Sequence, residues 1–327
     1  MRAEYSGFAW EHMGPRCGRQ RVEYAILSAK GRRLIYRDFS QAQLDEQYNN
    51  LARIPDHEAY VARWAADSER YRSHANCRLD IAYGDHPRQR LDLFFPGDSL
   101  SLRSAPIHAF VHGGYWYAQA KENFSYVADG LTDSGIIVAV IEYALCPEVL
   151  ISEIVRQVRS AMSWLWFNAG TFGGDPQCLS ASGHSAGAHL VAMSLATDWP
   201  TFDQRLPINI VTSGVTIGGV FDLEPIRLSF LNETLGLDRI TERRESPMQN
   251  LPSDQVSLVV MVGSEESSEF IRQSNDFASA CIGKGIDTKL MVIPDHHHIS
   301  VMDEFRGPNG EITAAIKQQV ERRQNAE

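Results

Sequence analysis

Gly183-His184-Ser185-Ala186-Gly187 carries the clearest chemical content in this chain. The pattern Gly-x-Ser-x-Gly lies between a stretch of strand length, Cys178 to Ser182, and a small-residue run, Ala186 to Thr197, suited to a helix. In that setting the glycines permit a sharp strand-to-helix turn that holds the serine hydroxyl at the sheet's edge, where an acyl-transfer nucleophile must stand. A second glycine pair follows the apolar run Ile107 to Val111, in His112-Gly113-Gly114-Tyr115-Trp116. If the Gly113 and Gly114 amides turn inward, they and the Ala186 amide stabilise the negative charge of a tetrahedral intermediate by about 3 kcal/mol per donor.

A serine nucleophile needs a base and a carboxylate to orient that base, and in sheets of this kind they follow in the order serine, acid, histidine. After the apolar run Leu258 to Val262 comes Gly263-Ser264-Glu265-Glu266-Ser267, where Glu266 is the favoured acid and Glu265 its close competitor. Asp222 is a weaker third. Beyond the last expected strand stand His296, His297 and His298, one of which is the expected base. A metal site built from these three is disfavoured, because consecutive residues on an extended loop point in different directions and no His-Glu-x-x-His or Cys/His spacing accompanies them. Serine chemistry of this kind calls for no cofactor and no metal. His108 and His112 read as packing or loop-anchoring groups.

These residues require a frame. From Phe39 to His74 the sequence favours helix, with Leu44, Tyr48 and Leu51 at helical spacing and Pro55-Asp56 opening a second helix that carries Tyr60, Trp64 and Tyr71. Leu79 to Tyr83 and Leu91 to Phe95 read as a hairpin, with Pro96-Gly97-Asp98 closing it. Strand and helix signals then alternate. Strands are expected at Ile107 to Val111, Ile136 to Ile141, Cys178 to Ser182, Ile208 to Val220, Leu258 to Val262 and Thr288 to Ile293. Helices are expected from Ile151 to near Gly170, at Ala186 to Thr197 and at Phe270 to Cys281. The alternation predicts an α/β fold whose mostly parallel sheet is flanked by helices. The division expected is an N-terminal extension, 1–36, and one hydrolase-like domain, 37–327, with a helical prelude at 37–76 and a small cap-like insertion at 221–250.

The 31 Lys and Arg against 41 Asp and Glu leave a net charge of −10, so no general attraction to nucleic acid or anionic lipid is expected. Met1 to Asp38 is locally basic, with eight Lys or Arg against four Asp or Glu, but it lacks the apolar core of a signal peptide. No apolar run reaches the length of a membrane span. Five widely spaced cysteines (Cys17, Cys77, Cys146, Cys178, Cys281) form no Cys-x-x-Cys pair and suit reduced, mostly buried thiols in a cytoplasmic protein.

Taken together the motifs resemble the α/β-hydrolase fold amidases and esterases typified by kynurenine formamidase and its hormone-sensitive-lipase-like relatives. The likeness rests on His112 to Trp116, Gly183 to Leu190, Tyr143-Ala-Leu-Cys-Pro147, Phe221 to Pro225 with Leu231-Asn232, and Gly263 to Ser274. It covers roughly Arg37 to Glu304. The resemblance implies an eight-stranded type of sheet, Ser185 as nucleophile, Gly113, Gly114 and Ala186 as oxyanion donors, Glu266 as acid and His298 as base. His298 is favoured over its neighbours because Ile299-Ser300 follow it. Many relatives carry Asp where Glu266 stands, and the His296-His297 pair is a departure from the family pattern.

The chemistry then expected is cleavage of N-formyl or N-acyl aryl amines, such as N-formylkynurenine or an N-acyl anthranilate, through an acyl-enzyme. A carboxylesterase for small acyl or aryl esters is the alternative, and a non-catalytic binding protein of the same fold is a distant third. Tyr115 and Trp116 are the expected substrate contacts, with Phe124, Tyr126, Phe221 and Phe230 as further candidates for an aromatic pocket. The expected partner is a small aromatic amide or ester, and the class suggests a homodimer.

Overall fold

The computed structural model describes residues 33–97 and 104–325. The expected extension therefore lies outside the described residues up to position 32, as does Cys17. Three helices open the described chain: α1 (Gln41–Tyr48), α2 (Asn50–Arg53) and α3 (His57–Arg72). At the start of α1 the Gln43 side chain returns to the Ser40 amide at 3.1 Å, and at α2 the Asn49 side chain accepts the Ala52 amide at 3.2 Å. Each contact satisfies a donor that a helix start leaves unpaired. Trp64, Ser68 and Tyr71 fall at helical spacing and form the buried stripe of α3.

Eight strands form one sheet in the order β1-β2-β4-β3-β5-β6-β7-β8. They are β1 (Cys77–Ala82), β2 (Arg90–Phe94), β3 (Ala105–Val111), β4 (Ile137–Ile141), β5 (Gly174–His184), β6 (Ser213–Ile217), β7 (Ser257–Gly263) and β8 (Asp287–Ile293). β1 pairs antiparallel with β2 and β2 antiparallel with β4, and every other pairing is parallel. The fold is the expected α/β arrangement.

Strand alternation builds the core. Successive side chains leave a strand on opposite faces. Ile107, Ala109, Val111, Ile137, Ala139 and Ile141 therefore join one buried cluster, and Phe110, Val138 and Val140 the other. Helices Ile151–Asn168, Ala186–Leu195 and Ser268–Gly283 cover the first face, while α3 and the helix Glu311–Gln324 cover the second. Because β3, β5, β7 and β8 run parallel, the loops that follow them emerge at one edge of the sheet.

Two details differ from the sequence reading. β6 is confined to Ser213–Ile217, the residues with ladder partners on both β5 and β7, while the apolar Ile208 ahead of it is exposed. The helix Glu311–Gln324 has no counterpart in that reading, because only Ile312, Ile316 and Val320 mark its inner face among polar residues. Among the described residues no helix is long and apolar enough to cross a membrane. The segment 221–250 folds as short helices, Glu224–Leu228, Asn232–Leu235 and Arg239–Arg244.

Candidate active site

Ser185 ends β5 with φ 56° and ψ −118°, a left-handed conformation that costs a non-glycine residue strain. The strain is held by the Ser185 amide, which donates to Ile217 O on β6 at 2.8 Å. A side chain at Gly183 would collide with the Gly187 backbone, and one at Gly187 with the Val111 carbonyl, so both flanking positions demand glycine. The turn is the elbow expected of Gly-x-Ser-x-Gly.

At the same edge His298 donates from Nδ1 to Glu266 Oε2 at 2.6 Å, and both residues are buried. Glu266 Oε1 in turn accepts the Gly263 amide at 3.1 Å, which fixes the carboxylate at the end of β7. The competing carboxylates lie elsewhere: Glu265 is exposed, and Asp222 accepts the Tyr36 hydroxyl at 3.2 Å. With Nδ1 engaged, Nε2 remains the proton-accepting atom of the ring. Phe270 packs on His298 with ring centroids 4.3 Å apart and His184 at 4.7 Å. His184 Nε2 donates to the His298 carbonyl at 2.7 Å, and burial lowers its pKa to about 3, so this ring stays neutral beside His298.

The two histidines before His298 have separate structural work. His297 Nδ1 accepts the amides of Ile299 and Ser300, at 3.2 and 3.1 Å, and so caps the turn that follows. His296 contacts Ser300 Oγ and Glu304 Oε1, each at 3.1 Å. The three rings diverge, and among the described residues no group of three His, Cys, Asp or Glu is placed to hold a metal ion.

Gly113 and Gly114 follow β3 and lie against the elbow; a Cβ at Gly113 would sit 3.1 Å from that of Ser185. Among the described residues no protein acceptor takes the Gly113, Gly114 or Ala186 amides. Behind this loop a buried network sets its course. The His112 ring stacks on Tyr143 at 4.3 Å and donates from Nε2 to Glu142 Oε1 at 3.0 Å. Glu142 also receives Arg88 at 2.7 Å, the Tyr143 amide at 2.8 Å and the Lys121 amide at 3.0 Å. Burial alone would raise the Glu142 pKa, but His112 and Arg88 outweigh it and hold the carboxyl below its usual range. The Tyr143 hydroxyl donates to the His112 carbonyl at 2.8 Å. Sequence reasoning did not single out Glu142 or Arg88, because their role appears only once β2 and β4 are paired.

A cavity of about 510 Å³ opens over Ser185 and His298. Tyr115 and Phe124 line it, and α2 and α3 supply a wall through Asn50, Leu51, Val61 and Trp64. Tyr115 is tethered to that wall: its hydroxyl donates to the Tyr48 carbonyl at 2.7 Å and accepts Asn50 Nδ2 at 3.1 Å. Trp116, expected as a substrate contact, instead is fully buried and donates from Nε1 to His189 Nδ1 at 3.3 Å. Tyr115 and Trp116 both have positive φ, 48° and 59°, and this turn directs the second ring into the core. Tyr126, Phe221 and Phe230 also lie outside the cavity lining: Phe221 stacks on Phe277 at 4.1 Å, and Phe230 is partly exposed. No lining residue comes from 221–250; the wall is the prelude's, and the Tyr60, Trp64, Tyr71 spacing was its trace in the sequence.

A parallel sheet with helices on both faces and a strained serine elbow facing a buried histidine and carboxylate define a hydrolase of the α/β-hydrolase fold. Comparison with known proteins agrees. Residues 91–233 match the BD-FAE family. A chain from Silicibacter sp. TM1040, solved as a thioesterase candidate, is 32% identical, with a TM-score of 0.72 over 84% of this chain and 98% of its own. Kynurenine formamidase of Danio rerio is 28% identical over 267 residues, 79% of this chain and 87% of the relative. Isoprenylcysteine alpha-carbonyl methylesterase of Arabidopsis thaliana is 39% identical over 118 residues, 36% of this chain and 27% of the relative. The chain belongs to the α/β-hydrolase fold family of esterases and amidases that these relatives represent.

Proposed function

We propose that this hydrolase cleaves the amide bond of N-formyl or short N-acyl aryl amines through an acyl-enzyme on Ser185. The observation that carries the reading is the 2.6 Å contact between His298 Nδ1 and Glu266, made at a cavity that Ser185 and His298 share. In this mechanism His298 Nε2 takes the proton of Ser185 as its oxygen attacks the acyl carbon. The amides of Gly113, Gly114 and Ala186 receive the oxyanion. Glu266 holds the imidazole in its Nδ1–H tautomer and stabilises the imidazolium that forms. His298 then protonates the departing nitrogen, and a water activated by the same ring attacks the acyl-serine to release the acid. An aryl amine leaves more readily than an alkyl amine because its lone pair is delocalised into the ring, which brings anilides closer to the reach of esterase machinery.

The likeness to kynurenine formamidase, spread over most of both chains, supports the amide reading. A carboxylesterase acting on small acyl or aryl esters is the second reading, supported by the methylesterase likeness over 118 residues. The ratio of kcat/KM for uncharged formanilides to that for p-nitrophenyl acetate separates the two. The amide reading expects an aryl amide at about 10⁴ M⁻¹s⁻¹ or above. Turnover of the activated ester alone would leave the esterase reading standing.

A further inference from the structure

We propose, on the basis of the aryl-acyl reading above, that the leaving group accepted here is uncharged or cationic on its far side, and that aryl substrates bearing a carboxylate there are poor. A formyl or short acyl group occupies little of a cavity of about 510 Å³, so the aromatic leaving group fills the rest and meets α2 and α3. That wall presents Leu51, Val61, Ala62 and Trp64, with Phe124 packed on Trp64 at 5.5 Å and Tyr115 bonded to Asn50. Glu58 is the wall's carboxylate, and no Lys or Arg lines the cavity among the described residues.

The neighbouring cations are committed elsewhere. Arg63 Nη2 lies 2.6 Å from both oxygens of Asp303. Arg72 donates to Ser125 Oγ at 2.7 Å, and Arg53 lines a separate cleft with Asp45 and Glu46 on another flank of α2. The Tyr115 hydroxyl is already spent on the Tyr48 carbonyl. A carboxylate entering this space meets the like charge of Glu58 and no Lys or Arg, while His57 beside it is bonded through Nδ1 to the Ile54 carbonyl at 2.9 Å. An ammonium instead meets the opposite charge of Glu58. A neutral ring gains the apolar contacts alone.

The test is an isosteric ladder of formanilides bearing para ethyl, aminomethyl or carboxymethyl groups, run beside phenyl acetates with the same three substituents. In whichever series turns over, kcat/KM for the ethyl and aminomethyl compounds is expected to exceed that of the carboxymethyl compound at least fivefold. Glu58→Lys is expected to shrink the ethyl-to-carboxymethyl ratio at least threefold. Turnover of the esters alone would defeat the amide reading while still measuring the charge preference. A wild-type ratio below fivefold, or a ratio that Glu58→Lys changes by less than threefold, overturns the proposal.

Discussion

Ser185, His298 and Glu266 stand at the ends of parallel strands, whereas the residues facing them across the cavity, from Asn50 to Trp64, belong to helices that precede the sheet. At the strand edge each functional group is fixed by backbone geometry and a buried partner: a left-handed serine anchored on Ile217, and a carboxylate clamped by the Gly263 amide. At the wall the groups are ordinary side chains of an amphipathic helix, held by packing. On the mechanism proposed above, the difference separates rate from selection. The edge is then expected to tolerate almost no change in atom positions, while the wall is expected to change shape and charge with the chemistry intact.

The sharpest way to break this division is to remove atoms from the edge. Ser185→Ala is expected to lower kcat by about 10⁵ to 10⁶, and Glu266→Gln by about 10³ to 10⁴ with little change in KM, because it disturbs the tautomer rather than the pocket. Single-turnover and steady-state kinetics on folded variants check both. A Glu266→Gln enzyme within tenfold of wild type would remove Glu266 from the edge.

At the wall the expected effect is smaller and of another kind. Trp64→Leu should raise KM for aryl substrates roughly tenfold, in line with about 1–3 kcal/mol for lost apolar contact. Its kcat should stay within a few-fold of wild type. A fall in kcat comparable to that of Glu266→Gln would erase the distinction between the regions.

A further effect concerns acid stability rather than turnover. His108 is buried between Ser180 Oγ and Ser182 Oγ, and burial lowers its pKa to about 3; His184 is lowered to about 3 and His189 to about 4 for the same reason. Their folded-state values lie below the unfolded value near 6.5. The stability they contribute is therefore complete above pH 6.5 and is lost as pH falls toward about 3 to 4, as the unfolded chain takes up protons the folded chain refuses. Each such histidine adds a slope of about 1.4 kcal/mol per pH unit in that window. Urea denaturation between pH 4 and 8 measures the slope, and His108→Gln should flatten it.

What the sequence discloses follows the same division. Gly183 and Gly187 are legible because close backbone contacts admit no other residue, and central strands such as β3 and β4 because their two-sided burial leaves continuous apolar runs. Gly263 and Glu266 are separated by three positions, so the clamp on the carboxylate is local enough to suspect from sequence. Trp116 misleads because its direction depends on two consecutive left-handed residues, which composition does not reveal. The Glu142 network and the cavity wall are long-range, joining β2 to β4 and α3 to the loop after β3, and pairings of that kind leave no mark on either segment alone.

The Tyr115 tether has a mechanical consequence. Its hydroxyl grips the Tyr48 carbonyl and receives Asn50, while its backbone directly follows Gly113-Gly114. The start of α2 and the loop that carries Gly113 and Gly114 thus share a hinge pin, and α2 cannot swing outward to admit or release a bulky ring without first letting go of that loop. Entry and exit are thereby geared to the order of the loop itself.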